Sequence, residues 1–154
     1  MSAFSKVIAI LVMNVAAAAA QAACFVNAGG ISFGAYDVSD SYPRDSMLML
    51  TLSCQEMRAR DLRVSIGPSA TSGGIPVRQM KWTAGVDRLT YNLFTDPSRT
   101  QVWGEGAGGD AVIVQGVIQD SPQQLSVFGR IPPGQDVSAG TYGDVVTITV
   151  EILR

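Results

Sequence analysis

Apolar and polar residues alternate along much of the chain after residue 23. Residues Met47–Cys54 place apolar side chains at every second position, and Leu62–Ile66 and Leu89–Leu93 repeat this spacing. A period of two is typical of a β-strand with one buried face. The pattern therefore predicts a strand in each of these three segments.

Further apolar runs occupy Ala111–Ile118, Leu125–Ile131 and Val145–Leu153, and turn residues such as Gly67-Pro68 and Pro132-Pro133-Gly134 separate the strands. No segment after residue 23 carries a helical apolar stripe. Short strands with frequent turn signals indicate an all-β, antiparallel sandwich or barrel. We see no linker within residues 23–154, which predicts one domain over that range.

The N-terminal region has a different pattern. Lys6 precedes the apolar run Val7–Ala20, which ends in Ala20-Gln21-Ala22. A positive residue, a short apolar core and a small-x-small site are typical of a secretory signal peptide. We therefore expect a signal peptide over residues 1–22, export from the cytoplasm, and no membrane span in the mature chain.

The chain has two cysteines, Cys24 and Cys54. In an exported domain, two cysteines favour one disulfide, and this loop length corresponds to about 3–4 kcal/mol of stabilisation. Two alternatives remain at this point. Cys24 follows small residues, as a lipid-attachment cysteine does, although Gln21 stands where such sites prefer an apolar residue. Two thiols without a histidine are an unusual metal site.

Charge and composition narrow the function. The chain carries 11 basic and 13 acidic residues, a net charge of −2, and losing Lys6 with the leader makes it −3. This mild acidity argues against nucleic acid or an anionic membrane as partner. The absence of histidine excludes histidine-based triads. The glycine-rich segment Gly104–Asp110 lacks the strand–loop–helix context of a phosphate loop. We expect no enzyme activity, catalytic residue, metal or cofactor.

Two residue groups allow a ligand interpretation. The carboxylates are Asp87, Asp96, Glu105 and Asp110. Their spacing fits no calcium loop, so solvated turn positions are the default. The aromatic group is Trp82, Tyr91 and Trp103. These rings are either a sugar-binding platform or buried strand residues, and the second is commoner.

Several sequence blocks resemble a known family. They are Asp87–Asp96, Val102-Trp103-Gly104, Ile131–Val137 followed by Ala139–Asp144 and a terminal strand, and Cys24 with Ile31–Gly34 ahead of Cys54. Together they resemble the spore coat protein U domain, the pilin-type domain of archaic chaperone–usher pili (Csu-type pilins). The residues that carry the resemblance are Asp87, Arg88, Leu89, Tyr91, Trp103, Gly140, Tyr142 and Asp144.

The resemblance implies an immunoglobulin-like sandwich that lacks its final strand. The missing strand leaves an apolar groove, filled first by a periplasmic chaperone and then by a neighbouring pilin subunit, a form of β-augmentation. The implied partners are therefore a periplasmic chaperone, an outer-membrane usher and other pilin subunits. The implied groove residues are Phe33, Leu48, Leu50, Leu52, Val146, Ile148, Val150 and Ile152.

A donor strand that inserts about four large apolar side chains would gain roughly 6–12 kcal/mol, as much as the net stability of a whole domain, about 5–15 kcal/mol. We therefore expect the isolated subunit to be marginal and prone to aggregation. The alternative is an ordinary closed sandwich, whose last strand would be equally apolar.

The role within a fibre depends on the N-terminus. Cleavage after Ala22 leaves almost nothing before Cys24 to donate onward, which predicts an acceptor-only subunit at the tip of a fibre. Two other functions remain open. One is a secreted coat or matrix protein of the same fold, and the other is a free-standing ligand-binding sandwich that uses Trp82 or Trp103.

Overall fold

The computed structural model describes residues 5–8, 10–13, 23–55 and 58–153. All regular elements in these ranges are strands, so the all-β prediction is confirmed. The strands are β1 (Ser5–Ile8), β2 (Ile10–Met13), β3 (Ala23–Asn27), β4 (Ser32–Tyr36), β5 (Arg44–Gln55), β6 (Arg60–Ile66), β7 (Arg78–Trp82), β8 (Arg88–Phe94), β9 (Val112–Val117), β10 (Gln123–Ile131), β11 (Thr141–Gly143) and β12 (Val145–Ile152).

The strands form two sheets with the topology of an immunoglobulin-like sandwich. One sheet has the order β3-β5-β10-β8-β7-β11-β1-β4, and the other has the order β2-β12-β6-β9. Neighbouring strands are antiparallel except at two places, where β1 runs parallel to β11 and β2 runs parallel to β12. Both exceptions involve the N-terminal segment.

The core lies between the sheets and follows the predicted alternation. In β6, Leu62, Val64 and Ile66 are fully buried, and in β8 every second residue from Leu89 to Leu93 is buried. The flanking positions are half-buried or exposed, because successive side chains of a strand point to opposite faces. The period-two pattern was therefore a correct guide to the buried face.

The predicted disulfide is confirmed between Cys24 of β3 and Cys54 of β5. The two cysteines face each other directly in the antiparallel register of these strands. The bridge closes a loop with a sequence separation of 30 residues. It therefore ties the edge strand β3 to its long neighbour β5 in the same sheet.

Two of the predicted strands illustrate the agreement, and several strands, among them β3, β4, β7 and β11, were not predicted. The predicted Met47–Cys54 is the longer β5, and the predicted Val145–Leu153 is β12. Strand β7, Arg78–Trp82, was not predicted, because a buried arginine occupies one of its core positions. In the described part of the chain, no helix has the length and hydropathy needed to cross a bilayer.

Candidate functional site

The N-terminal segment fills a position in the sandwich between β4 and β12. The backbone of β1 pairs with β4 on one side and β11 on the other, and that of β2 pairs with β12. The register brings Val7 beside Gly34 of β4 and Leu11 beside Val146 of β12. We call this position the β4–β12 gap. Its occupant lies more than 130 residues before β12 in sequence.

The walls of the β4–β12 gap include three of the residues expected in the groove. Phe33 of β4 is buried, as are Val146 and Ile148 of β12, both of which pair with β2. Val150 and Ile152 lie further along β12, beside β6, and are half-buried. The gap therefore runs along the first half of β12.

The other expected groove residues belong to a strand that does not pair with the N-terminal segment. Leu48, Leu50 and Leu52 belong to β5, which pairs with β3 and β10 in the interior of the larger sheet. Leu50 and Leu52 are fully buried and Leu48 is half-buried. They contribute to the common core, and their strand does not pair with the segment that fills the gap.

A buried polar network fixes the backbone where β11 passes into β12. The Tyr91 hydroxyl donates to Oδ2 of Asp144 at 2.6 Å, and the Thr71 amide donates to Oδ1 of Asp144 at 3.1 Å. Burial, together with the Asp144 carboxylate, raises the pKa of Tyr91 far above its usual range, so the phenol stays protonated. The Tyr91 ring meets Phe33 edge-on, with ring centroids 6.0 Å apart. The network thereby connects the two walls of the β4–β12 gap.

Comparison with known sequences places the chain in a family. The family model described as the Spore Coat Protein U domain matches residues 9–149. The chain belongs to the Spore Coat Protein U domain family. Protein U of Myxococcus xanthus is 31% identical over 141 residues, an alignment that covers 83% of this chain and 76% of that protein.

A solved structure has a related fold. It is the pre-assembly complex of the chaperone CsuC and the tip adhesion subunit CsuE from the archaic chaperone–usher Csu pili of Acinetobacter baumannii. The match to one of its chains has a TM-score of 0.54 and 25% identity. It covers 85% of this chain and 40% of that chain, so this Spore Coat Protein U domain spans less than half of the protein it matches.

The remaining residues of the Spore Coat Protein U resemblance organise loops near the β11–β12 junction. The Ser138 amide donates to the Asp87 carboxylate at 2.8 Å, and the Tyr142 hydroxyl donates to the Ser138 carbonyl at 2.7 Å. Arg88 Nη1 donates to the Thr71 carbonyl at 2.7 Å. Leu89 is fully buried. These contacts explain structurally why polar residues occur in the blocks that carry the resemblance.

Position 140 requires glycine for a separate, steric reason. Its φ is +149°, and a Cβ placed on it would collide with the indole nitrogen of Trp82. A side chain at this position would therefore displace Trp82, which packs against the core.

Sequence reasoning missed Arg78, the buried polar centre of this Spore Coat Protein U domain. Its side chain is fully buried in β7. Its guanidinium donates to the carbonyls of Ile66, Gly67 and Trp103 at 2.8–3.2 Å and to Oδ1 of Asn92 at 2.7 Å. Burial lowers the pKa of Arg78 from its usual value, yet an arginine stays charged in proteins.

Arg78 therefore connects three segments that are distant in sequence. The signal in the sequence is weak. Arg78 precedes Met80 by two positions, and period-two spacing from a core residue is the feature that could have suggested burial.

The sugar-platform interpretation is not supported by the positions of the aromatic residues. Trp103 is buried and its Nε1 donates to the Val64 carbonyl at 2.9 Å. Tyr91 is also buried, and Trp82 is half-buried. The default interpretation of buried strand aromatics is correct for Tyr91 and Trp103, because their polar atoms are satisfied inside the protein. The three rings do not form an exposed surface.

Two of the candidate carboxylates, Asp96 and Asp110, organise their own loops. Asp96 accepts hydrogen bonds from the amides of Thr100 and Gln101, and these bonds lower its pKa. Asp110 accepts from the Gly106 amide at 2.6 Å. Within the described ranges, no group of three or more metal-ligating side chains occurs. The distinctive feature of the described residues is the β4–β12 gap.

Proposed function

We propose that this chain is a structural subunit of a chaperone–usher pilus, and that its β4–β12 gap receives a β-strand from another protein. The observation that carries the proposal is the occupant of the gap, a backbone segment that comes from the far N-terminus. Membership of the Spore Coat Protein U domain family and similarity to the Csu pre-assembly complex support it. Strand addition to an exposed sheet edge is a general mode of peptide recognition.

The expected leader makes the gap dependent on a partner. Residues 5–13 lie within the segment predicted as a signal peptide, and the predicted cleavage site Ala20-Gln21-Ala22 lies outside the described residues. Removal of the leader would take away the strand beside Phe33, Val146 and Ile148. We propose that a periplasmic chaperone first, and another pilin subunit later, supplies the replacement strand, with an outer-membrane usher as the assembly site.

This proposal assigns no catalysis to the chain. Its action is the exchange of one β-strand for another, in the periplasm and then at the cell surface. A donor that buries about four large apolar side chains would contribute roughly 6–12 kcal/mol. Such a contribution is large enough to drive assembly without a chemical step.

Co-purification tests the proposal. We expect the exported chain, expressed with a periplasmic chaperone of the archaic chaperone–usher type, to be recovered as a one-to-one complex. A variant with Ile148→Asp should lose that complex, because it places a charge in the wall of the gap. The matched control is Ile113→Asp, on the exposed edge strand β9. Recovery of the Ile148→Asp complex at the level of the control would contradict the proposal.

A coat or matrix protein is the second candidate, and the description of the matched family as the Spore Coat Protein U domain favours it. Electron microscopy of intact cells separates the two functions. A pilus subunit predicts fibres that disappear when the gene is deleted. A coat protein predicts an amorphous layer and no loss of fibres.

The acceptor-only position at a fibre tip stays a prediction. Mass spectrometry of the mature N-terminus tests it. An N-terminus at Ala23 supports the tip position, and one well before Cys24 would supply a donor segment and contradict it.

A further inference from the structure

Two positive side chains face each other beside the β4–β12 gap. Lys81 of β7 and Arg88 of β8 are direct partners in the antiparallel register, and both are exposed. Directly opposed residues share one face of a sheet, with Cβ atoms about 5 Å apart, and like charges in this arrangement are destabilising. An acidic chain with net charge −2 thus carries an unfavourable pair of cations at this position.

Neither cation of this pair forms an ion pair with a carboxylate in the part of the chain that the structure describes. Among the described residues, the ion pairs join Arg63 to Glu151, and Arg99 and Arg130 to Asp45. Lys81 and Arg88 line an open depression with Thr71, Gly143 and Asp144. The carboxylate oxygens of Asp144 accept from Tyr91 and Thr71, and Asp87 accepts from Ser138. Arg88 donates to the Thr71 carbonyl, and the two cations outnumber the one carboxylate, Asp144, that lines the depression.

The cross-strand row that contains Lys81 continues through β11 toward the gap. Lys81 pairs with Gly143 of β11. On the other side of β11, Val7 pairs with Tyr142, and the pairing of β1 with β4 is irregular after Val7. Continuing the parallel register with β11 by one residue would set position 8 at the level of Gly143. Position 8 and Lys81 are two strand spacings apart, about 10 Å. Glycine leaves the row open between them, and an acidic side chain and a lysine can meet across it.

We infer that Lys81 and Arg88 recognise an acidic residue, Asp or Glu, on the partner strand that fills the β4–β12 gap, at the row of Gly143. The inference rests on the proposed function and adds the partner's chemistry to it. The chain's own segment has the neutral Ile8 at this row. A partner strand with a carboxylate there has an electrostatic advantage over the chain's own N-terminal segment.

A double-mutant cycle in the full chain with its leader retained tests the inference. Ile8→Glu is compared with the neutral control Ile8→Gln, each with Lys81 or with Lys81→Gln, by denaturant unfolding. We expect Ile8→Glu to raise the folded-to-unfolded ratio about two- to fivefold over Ile8→Gln. The gain should vanish with Lys81→Gln and shrink in about 1 M salt, because salt screens exposed charges. The matched comparison of Val12→Glu with Val12→Gln, at a position remote from the cations, should show no gain.

A cross-link distinguishes failure of the inference from failure of the proposed function. Leu11→Cys with Val146→Cys should form a disulfide, because these residues are register partners. A cross-link without coupling between position 8 and Lys81, or a gain that survives Lys81→Gln, would overturn the inference alone. Absence of the cross-link would mean that the segment does not fill the gap, and would overturn both proposals.

Discussion

The larger sheet around β5 and the β4–β12 gap differ in which part of the sequence closes them. Around β5, the neighbours β3 and β10 belong to the same domain, and a disulfide links β3 to β5. In the gap, the neighbour of β12 is the segment 10–13. The first region has its partners within residues 23–154. The second depends on a segment that export is expected to remove.

This difference implies two levels of stability within one sandwich. The region formed by β3, β5 and β10, which we call the closed region, should keep its protection from hydrogen exchange whatever fills the gap. The walls of the gap should be protected only when a strand is present, because unpaired strand edges and exposed apolar side chains are unfavourable in water.

The largest expected effect on stability comes from removing the N-terminal segment that fills the gap. A protein that begins at Ala23 should lose several kcal/mol of unfolding free energy, since the apolar walls formed by Phe33, Val146 and Ile148 become exposed. Urea unfolding measures the loss. Addition of a peptide of residues 5–13 should restore most of it, whereas a peptide with Leu11→Asp should not. Equal stability with and without residues 1–22 would contradict the comparison.

The next effect tests the closed region. Replacing Cys24 and Cys54 together by serine should lower the unfolding free energy by about 3–4 kcal/mol, because the loop they close is free in the unfolded chain. Urea unfolding with the gap filled and with the gap empty should give the same loss. A loss that depends on the occupant would show that the two regions are coupled rather than independent.

Replacement of Arg78 tests how much a buried polar centre stabilises the sandwich. Arg78→Met should lower stability by about 3 kcal/mol, because it leaves buried carbonyls of Ile66, Gly67 and Trp103 without donors. Arg78→Lys should recover only part, since an ammonium cannot reproduce the planar fork. Chemical denaturation of both variants provides the comparison. A neutral Arg78→Met would show that the hydrogen bonds contribute little net stability.

Tyr91→Phe has a smaller expected effect, at the boundary between the two regions. It removes the hydroxyl that donates to the buried Asp144, which should cost about 2 kcal/mol. Because Asp144 lies at the β11–β12 junction, the variant should also weaken binding of a strand in the gap. Calorimetric titration with the 5–13 peptide measures this. Tyr42→Phe, at an exposed tyrosine between β4 and β5, is the control that removes a hydroxyl away from the gap.

The smallest expected effect is the acid dependence of the closed region. The hydrogen bonds from Arg130 hold the pKa of Asp45 below its usual value, and the charges of Arg130 and Arg99 act in the same direction. A lowered folded-state pKa contributes stability above the ordinary aspartate value of about 3.9, and this stability is lost as the pH falls through the lower folded value.

The pair is partly exposed, so the contribution should be about 0.5 kcal/mol. Unfolding of the wild type and Asp45→Asn between about pH 2 and pH 6 measures it. The two proteins should differ in stability at the upper end of this range and converge at the lower end. A constant difference across the range would contradict the assignment.

How far the sequence predicts this molecule depends on the kind of interaction. Strands β6, β8 and β12 follow from period-two apolar spacing, because burial of one face is a local pattern. The disulfide follows from two cysteines in an exported chain. Strand β7 does not, because Arg78 is buried only through hydrogen bonds to distant segments, and such pairing leaves no local pattern.

The candidate site is predictable only in part, for the same reason. Apolar alternation marks Val146 and Ile148 of β12, a strand that pairs with the N-terminal segment. It marks Leu48, Leu50 and Leu52 equally, although their strand β5 does not pair with that segment. Alternation reports the buried face but not the neighbouring strand. The Lys81–Arg88 pair depends entirely on cross-strand register, which the sequence does not specify.

Hydrogen exchange, resolved by peptide and measured on the protein that begins at Ala23, tests the central claim most directly. Without an added strand, we predict fast exchange in the first half of β12 (residues 145–148) and in β4 (Ser32–Tyr36), and slow exchange in β5 and β10. Addition of the 5–13 peptide should slow exchange in the first half of β12 and in β4 and leave β5 unchanged. Slow exchange of these two segments in the protein alone would contradict the claim that this domain depends on a borrowed strand.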